Sequence, residues 1–180
     1  MKILRCALLS GMLAGAAAAQ VIVEYPIPSP FSGAMGITAG PDGAVWFTEA
    51  VLTAAKIGRI DMAGTITEFP LPDPGCNPTD ITTGPDGNLW FVQQNLANKV
   101  AQFSTAGTIT AEYTFPTPGS GSNALAGAPD GNLWVTELNG DQIARVTTAG
   151  VITEFAGTVN PCDITAGPDG NIWFVELNGG

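Results

Sequence analysis

Short apolar stretches alternate with polar residues along most of this chain, at the two-residue period of strands rather than the 3.6-residue period of helices. In the first complete copy of the pattern, Gly36-Ile37-Thr38-Ala39 predicts a short strand. Gly40-Pro41-Asp42-Gly43 predicts a turn, with proline presetting φ and the last glycine tolerating positive φ. A second strand is expected from Ala44 to Glu49, a third from Lys56 to Asp61 and a fourth from Thr65 to Phe69. Met62-Ala63-Gly64 turns between the last two, and Pro70-Leu71-Pro72-Asp73-Pro74 cannot continue a ladder, so it carries the chain onward. Each such unit is four short antiparallel strands with a proline-rich exit.

The unit repeats. Val45-Trp46-Phe47 returns as Leu89-Trp90-Phe91, Leu133-Trp134-Val135 and Ile172-Trp173-Phe174, each after a Pro-Asp-Gly turn, with tryptophans 44, 44 and 39 residues apart. Repeats of about forty residues with four strands each are the signature of a β-propeller, one blade per repeat. The fold class is therefore all-β, a β-propeller of four-stranded antiparallel blades. Val21 to Ile27 resembles a fourth strand, and Glu176-Leu177-Asn178-Gly179 matches the end of a second strand. One leading strand, three full blades and half a fourth make about 3.5 blades over residues 20–180, which reads as an incomplete ring: a fragment, with a natural short form that closes by oligomerising as the alternative. One tryptophan at the same strand position of every blade is expected to pack between blades rather than to form a sugar-binding platform.

The first 19 residues read as a secretory signal peptide: Lys2 and Arg5, an apolar run too short to span a membrane, and small residues at Ala17-Ala18-Ala19. The expected location is secreted or periplasmic. The net charge is −10, and without the leader 4 basic residues face 16 acidic ones, a formal −12. Such a surface disfavours nucleic acid, and no membrane span is expected. Cys76 and Cys162 fall in connectors of non-adjacent blades, which favours two free thiols over a bridge.

On a rigid scaffold, variable loops hold ligands. The connectors and the loops between second and third strands share one face and vary most. The connector slot two residues before each first-strand apolar residue is expected to look toward the channel mouth: Met35, Thr79, Asn123 and Cys162 are the ligand-facing candidates, for a small-molecule or peptide ligand. On the same face the second strands end at Glu49, Gln93, Glu137 and Glu176, with Asp80 and Asp163 in the connectors. Converging carboxylates suit a hard cation, so Glu49, Glu137 and Glu176 are the metal candidates. The chain has no histidine, which excludes a histidine-based triad or zinc cluster within these residues.

The repeat text, notably Ile81-Thr82-Thr83-Gly84-Pro85-Asp86-Gly87-Asn88-Leu89-Trp90-Phe91, Lys56-Ile57-Gly58-Arg59-Ile60 and Gly64-Thr65-Ile66-Thr67-Glu68-Phe69-Pro70-Leu71-Pro72, resembles the virginiamycin B lyase (streptogramin lyase) family. The resemblance implies a seven-bladed ring and an antibiotic-resistance enzyme that opens a cyclic depsipeptide by elimination, with Mg²⁺ polarising the substrate and a base taking a proton α to a carbonyl. The family's catalytic histidines and metal-binding glutamates belong to late blades, so no residue of this chain inherits those roles. A substrate-facing aromatic position of the family corresponds to Met35. A secreted, non-catalytic propeller that binds a ligand or protein partner through its loop face is the alternative reading.

Overall fold

The computed structural model describes the backbone of residues 3–8, 21–95 and 98–178. Most of the expected leader, including its cleavage site, lies outside them. The chain divides into two units, residues 1–32 and 33–180. In the first, β1 (Ile3–Leu8) pairs antiparallel with β2 (Val21–Pro26), from Ile3 opposite Pro26 to Leu8 opposite Val21.

The second unit is a run of antiparallel sheets and, among the described residues, contains no helix. Blade 1 is β3 (Ala34–Ala39), β4 (Val45–Glu49), β5 (Lys56–Ile60) and β6 (Ile66–Pro70). Blade 2 is β7 (Pro78–Thr83), β8 (Leu89–Gln93), β9 (Lys99–Phe103) and β10 (Ile109–Thr114). Blade 3 is β11 (Ser122–Gly127), β12 (Asn132–Glu137), β13 (Gln142–Thr147) and β14 (Ile152–Ala156). The inner half of a fourth follows as β15 (Pro161–Ala166) and β16 (Ile172–Glu176). Strand β3 begins two residues earlier than its apolar pattern suggests, because the pairing resumes at Ala34 beyond an irregularity between Ala34 and Ile37.

The Pro-Asp-Gly turn works through its aspartate. Gly43 sits at φ +74° and closes the turn onto Gly40 at 3.2 Å. Asp42 Oδ1 accepts the Trp46 indole N–H at 2.9 Å, and Asp42 Oδ2 accepts Arg59 Nε at 2.8 Å. The same indole bond recurs from Trp90 to Asp86 and from Trp134 to Asp130, each at 3.1 Å. These donors hold the Asp42 and Asp86 carboxyls below the usual carboxylate range although partial burial pushes the other way.

Two of the tryptophans, Trp46 and Trp90, then join blade to blade, and those of blades 1 to 3 share a contact within the blade. Each stacks on an aromatic of its own fourth strand: Trp46 on Phe69 with ring centroids 5.6 Å apart, Trp90 on Tyr113 at 6.1 Å, Trp134 on Phe155 at 5.5 Å. Trp46 also meets blade 2 edge-on at Phe103 and shares a core with Ile81, Leu89 and Phe91. Trp90 does the same with Leu125, Leu133, Val135 and Val146 of blade 3. Both indoles are fully buried. Strand β8, with a blade on either side of it, is buried at every position.

Candidate functional site

A local irregularity of the ladder builds the candidate site. In every first strand the pairing slips near its start: between Ala34 and Ile37, Pro78 and Ile81, Ser122 and Leu125, and Pro161 and Asp163. A bulge re-aims the side chains it carries. The four bulges, one per blade, turn Met35, Thr79, Asn123 and Cys162 into a single cleft of about 330 Å³, with Gly36, Asp80, Ala124 and Asp163 beside them. Asp80 and Asp163 thus lie in strands, not in the connectors where the sequence pattern put them.

A bulge leaves backbone N–H groups that the ladder no longer satisfies, and alternate blades meet this in two ways. In blades 1 and 3 a small residue occupies the bulge and a threonine of the second strand accepts its N–H: Gly36 N donates to Thr48 Oγ1 at 2.9 Å, and Ala124 N to Thr136 Oγ1 at 3.0 Å. In blades 2 and 4 that threonine is Val92 or Val175, and an aspartate occupies the bulge. Asp80 accepts Ile81 N at 2.8 Å and, across the blade boundary, Leu125 N at 2.9 Å. Asp163 accepts Ile164 N at 2.9 Å. Burial pushes the Asp80 carboxyl upward, the two amide donors hold it back, and the nearby Asp163 charge adds to the rise. A Cβ at Gly36 would stand 2.7 Å from Asp80 Oδ1, so glycine there makes room for the clasp.

The four slot residues are not equivalent. Thr79 Oγ1 donates to the Asn123 carbonyl at 2.8 Å, and Asn123 Nδ2 donates to the Cys162 carbonyl at 2.6 Å. Each therefore ties its blade to the next. Asn123 Oδ1 accepts Gln94 Nε2 at 3.3 Å, and Gln94 Oε1 accepts Asn77 Nδ2 at 3.0 Å, so an amide chain runs from blade 2 to blade 4 along the loop face. Met35 makes no such tie and is 58% exposed, which leaves it as the free apolar wall of the cleft. Gln94 and Asn77 escaped the sequence reading; the signal available was that Gln94 occupies a position held by Ala50, Leu138 and Leu177 in the other blades.

The carboxylates ending the second strands behave differently. Glu49 and Glu137 are buried within separate blades, and Glu176 is exposed and accepts Val159 N at 2.8 Å. Burial pushes both buried carboxyls up to about 7. None of the three lines the cleft, and among the described residues no group of three or more histidine, cysteine or acidic side chains could hold a metal ion. Buried acids that resist ionisation, held in separate blades, do not fit Mg²⁺, which needs several charged or water oxygens in one octahedron.

Cys76 and Cys162 are both free thiols. Cys76 is buried, and desolvation with the nearby Asp73 charge pushes its thiol up to about 12, so it is inert as a nucleophile. Iodoacetamide applied to the folded protein is expected to label Cys162 and to leave Cys76 unmodified until denaturant is added, read by peptide mass spectrometry. No helix among the described residues is long and apolar enough to cross a membrane.

A family model described as the virginiamycin B lyase family matches residues 7–180. Among solved structures, a streptogramin B lyase superposes with a TM-score of 0.80 at 39% identity, covering 87% of this chain and 52% of that one. Virginiamycin B lyase from Staphylococcus aureus gives 0.81 at 40% identity, with 89% and 54% covered. A catalytically inactive histidine-to-alanine form of the Staphylococcus aureus enzyme, with quinupristin, gives 0.81 at 41% identity, with 88% and 54% covered. The present chain spans about half the length of each of these structures.

Proposed function

Because this chain belongs to the virginiamycin B lyase family, we propose that its cleft receives part of a cyclic depsipeptide of the streptogramin B type and that the full-length protein opens that ring by elimination. The observation that carries the reading is the cleft itself: four consecutive blades turn one bulge each into the same depression, and one wall, Met35, is apolar and free. A macrocycle with lipophilic side chains suits such a wall, and a cleft stitched by Thr79, Asn123 and Asp80 suffers little ordering cost when it binds.

In an elimination, a base takes a proton α to a carbonyl, a carbon–carbon double bond forms, and the carbon–oxygen bond of the ester breaks with the oxygen leaving as carboxylate. No water enters. Within this chain no histidine is present to act as base, so the role left to these blades is to bind and orient the substrate. Magnesium assistance rests on the resemblance alone, since Glu49, Glu137 and Glu176 do not fit the ion. An exported protein, as the leader suggests, would meet the antibiotic outside the cytoplasm.

The test is mass spectrometry of a streptogramin B incubated with the full-length protein and Mg²⁺. The expected product is linear, carries a free carboxylate and has the mass of its substrate. A product heavier by one water would make the reaction a hydrolysis and overturn the mechanism. Tight binding by calorimetry without any product would instead support the second reading, a secreted propeller that binds without catalysis. That reading is favoured by one residue, the methionine at position 35 where the family presents an aromatic ring.

A further inference from the structure

The same three-residue arrangement occurs in blades 1 to 3, at the loop end of strands two, three and four. Strand register puts Glu49 opposite Lys56, with Glu68 opposite Gly58 two residues along, so the three side chains share one face of blade 1. Blade 2 has Gln93, Lys99 and Glu112 in these places, and blade 3 has Glu137, Gln142 and Glu154. In blade 2 the bonding is fully resolved. Gln93 Nε2 donates to Glu112 Oε1 at 2.8 Å while Lys99 Nζ holds Glu112 Oε2 at 3.0 Å. Blade 1 repeats the second half of this, with Lys56 Nζ on Glu68 Oε2 at 2.9 Å. The place of the amide donor, however, is taken by Glu49.

Glu49 is 1% exposed, and neither of its carboxylate oxygens has a donor to accept from. An ionised carboxylate in that position would be buried, unsatisfied and next to a second negative charge. A protonated one has the O–H donor that Gln93 supplies in the next blade.

We propose that Glu49 is a neutral carboxylic acid whose O–H donates to the Glu68 carboxylate, so that the pair shares one proton and blade 1 carries a latch that holds in acid and opens in base. The groups facing it are few. From β5 there is Lys56, already on Glu68. From β6 there is Glu68 itself. Strand β3 carries no titratable side chain, and Asp80 on β7 is turned to the Ile81 and Leu125 amides. Desolvation and the Glu68 charge push Glu49 up to about 7 from 4.5, against the pull of Lys56. A folded value above the unfolded one means that the stabilisation is complete below about 4.5, declines as the pH rises, and is gone once it passes about 7. The inference is independent of any catalytic role.

Carbon-detected NMR of the full-length protein, labelled at glutamate carboxyls, tests it directly. Glu49 is expected to titrate near 7, and in Glu68→Gln its midpoint should drop by about one pH unit or more as the like charge disappears. A Glu49 midpoint in the ordinary carboxylate range would overturn the proposal. Thermal melts supply the second measurement. Glu49→Gln is expected to match the wild type in acid, to exceed it above pH 7, and to lose part of the downward slope between, because the amide donates at every pH as Gln93 does. Glu137, also raised, supplies the remaining slope. A variant less stable than the wild type above pH 7, or one with an unchanged slope, would refute the latch.

Discussion

Trp90→Ala is expected to lower the stability of the full-length protein by about 3–5 kcal/mol, the range for truncating a large aromatic in a close-packed interior. The indole is fully buried, stacks on Tyr113, and lies in the apolar cluster that joins blade 2 to Leu125, Leu133, Val135 and Val146 of blade 3. Its N–H also satisfies Asp86 at 3.1 Å. Removing it opens a cavity at a blade boundary, where neighbouring sheets are held apart by their own ladders and cannot collapse into the space. Urea denaturation followed by far-ultraviolet circular dichroism measures the loss. Met62→Ala, at a turn residue 76% exposed, serves as the control and should change stability by no more than about 0.5 kcal/mol. Equal effects of the two substitutions would show that the blade boundaries do not carry the stability of the array.

The second large effect is expected at Asp80. Its carboxylate satisfies two amides, Ile81 N on its own strand and Leu125 N on the next blade, and Val92 in the second strand supplies no hydroxyl to replace it. Asp80→Ala leaves both donors without an acceptor at a cost of about 1–3 kcal/mol each, so a total of about 2–6 kcal/mol is expected. Asp80→Asn retains one acceptor oxygen and should lose roughly half as much. Hydrogen exchange is the sharper readout. The Leu125 amide should exchange markedly faster in Asp80→Ala, while the Ala124 amide, held by Thr136 Oγ1 at 3.0 Å, keeps its protection. Unchanged protection at Leu125 would show that the clasp is dispensable. Since Asp80 lines the cleft together with Thr79 and Asn123, the proposed function adds a further expectation, that the same variant binds a streptogramin B more weakly.

The architecture was legible because a propeller writes itself into its sequence once per blade. Pro-Asp-Gly turns, a tryptophan in the second strand and a proline-rich exit gave strand order and blade count, and the inter-blade role of Trp46 and Trp90 followed from their repetition. The slots Met35, Thr79, Asn123 and Cys162 could be aligned in the same way, and the structure gathers them into one cleft. Their different duties could not be aligned. That Thr79 and Asn123 bond to the carbonyl of the next blade, leaving Met35 free, depends on distances between strands 39 to 44 residues apart in the chain. The alternation of Gly36 with Thr48, Asp80 with Val92, Ala124 with Thr136 and Asp163 with Val175 was present as letters, but it has meaning only once a bulge has exposed the N–H groups those side chains must satisfy.

By itself, then, the sequence determined the local units: which segments are strands, where they turn, and that they repeat. These follow from interactions within about ten residues, namely side-chain alternation, proline and glycine backbone limits, and the bond from each turn aspartate to the indole four residues on. Only the tertiary structure decided which polar groups are consumed by packing and which remain free, and which acids are buried. Glu49 and Glu137 occupy the same slot of the repeat, yet Glu137 Oε2 accepts Gln142 Nε2 at 3.0 Å while neither oxygen of Glu49 has a donor. Burial and hydrogen-bond satisfaction are properties of neighbours brought from distant parts of the chain, and a repeat that makes every blade look alike in sequence does not make their surroundings alike.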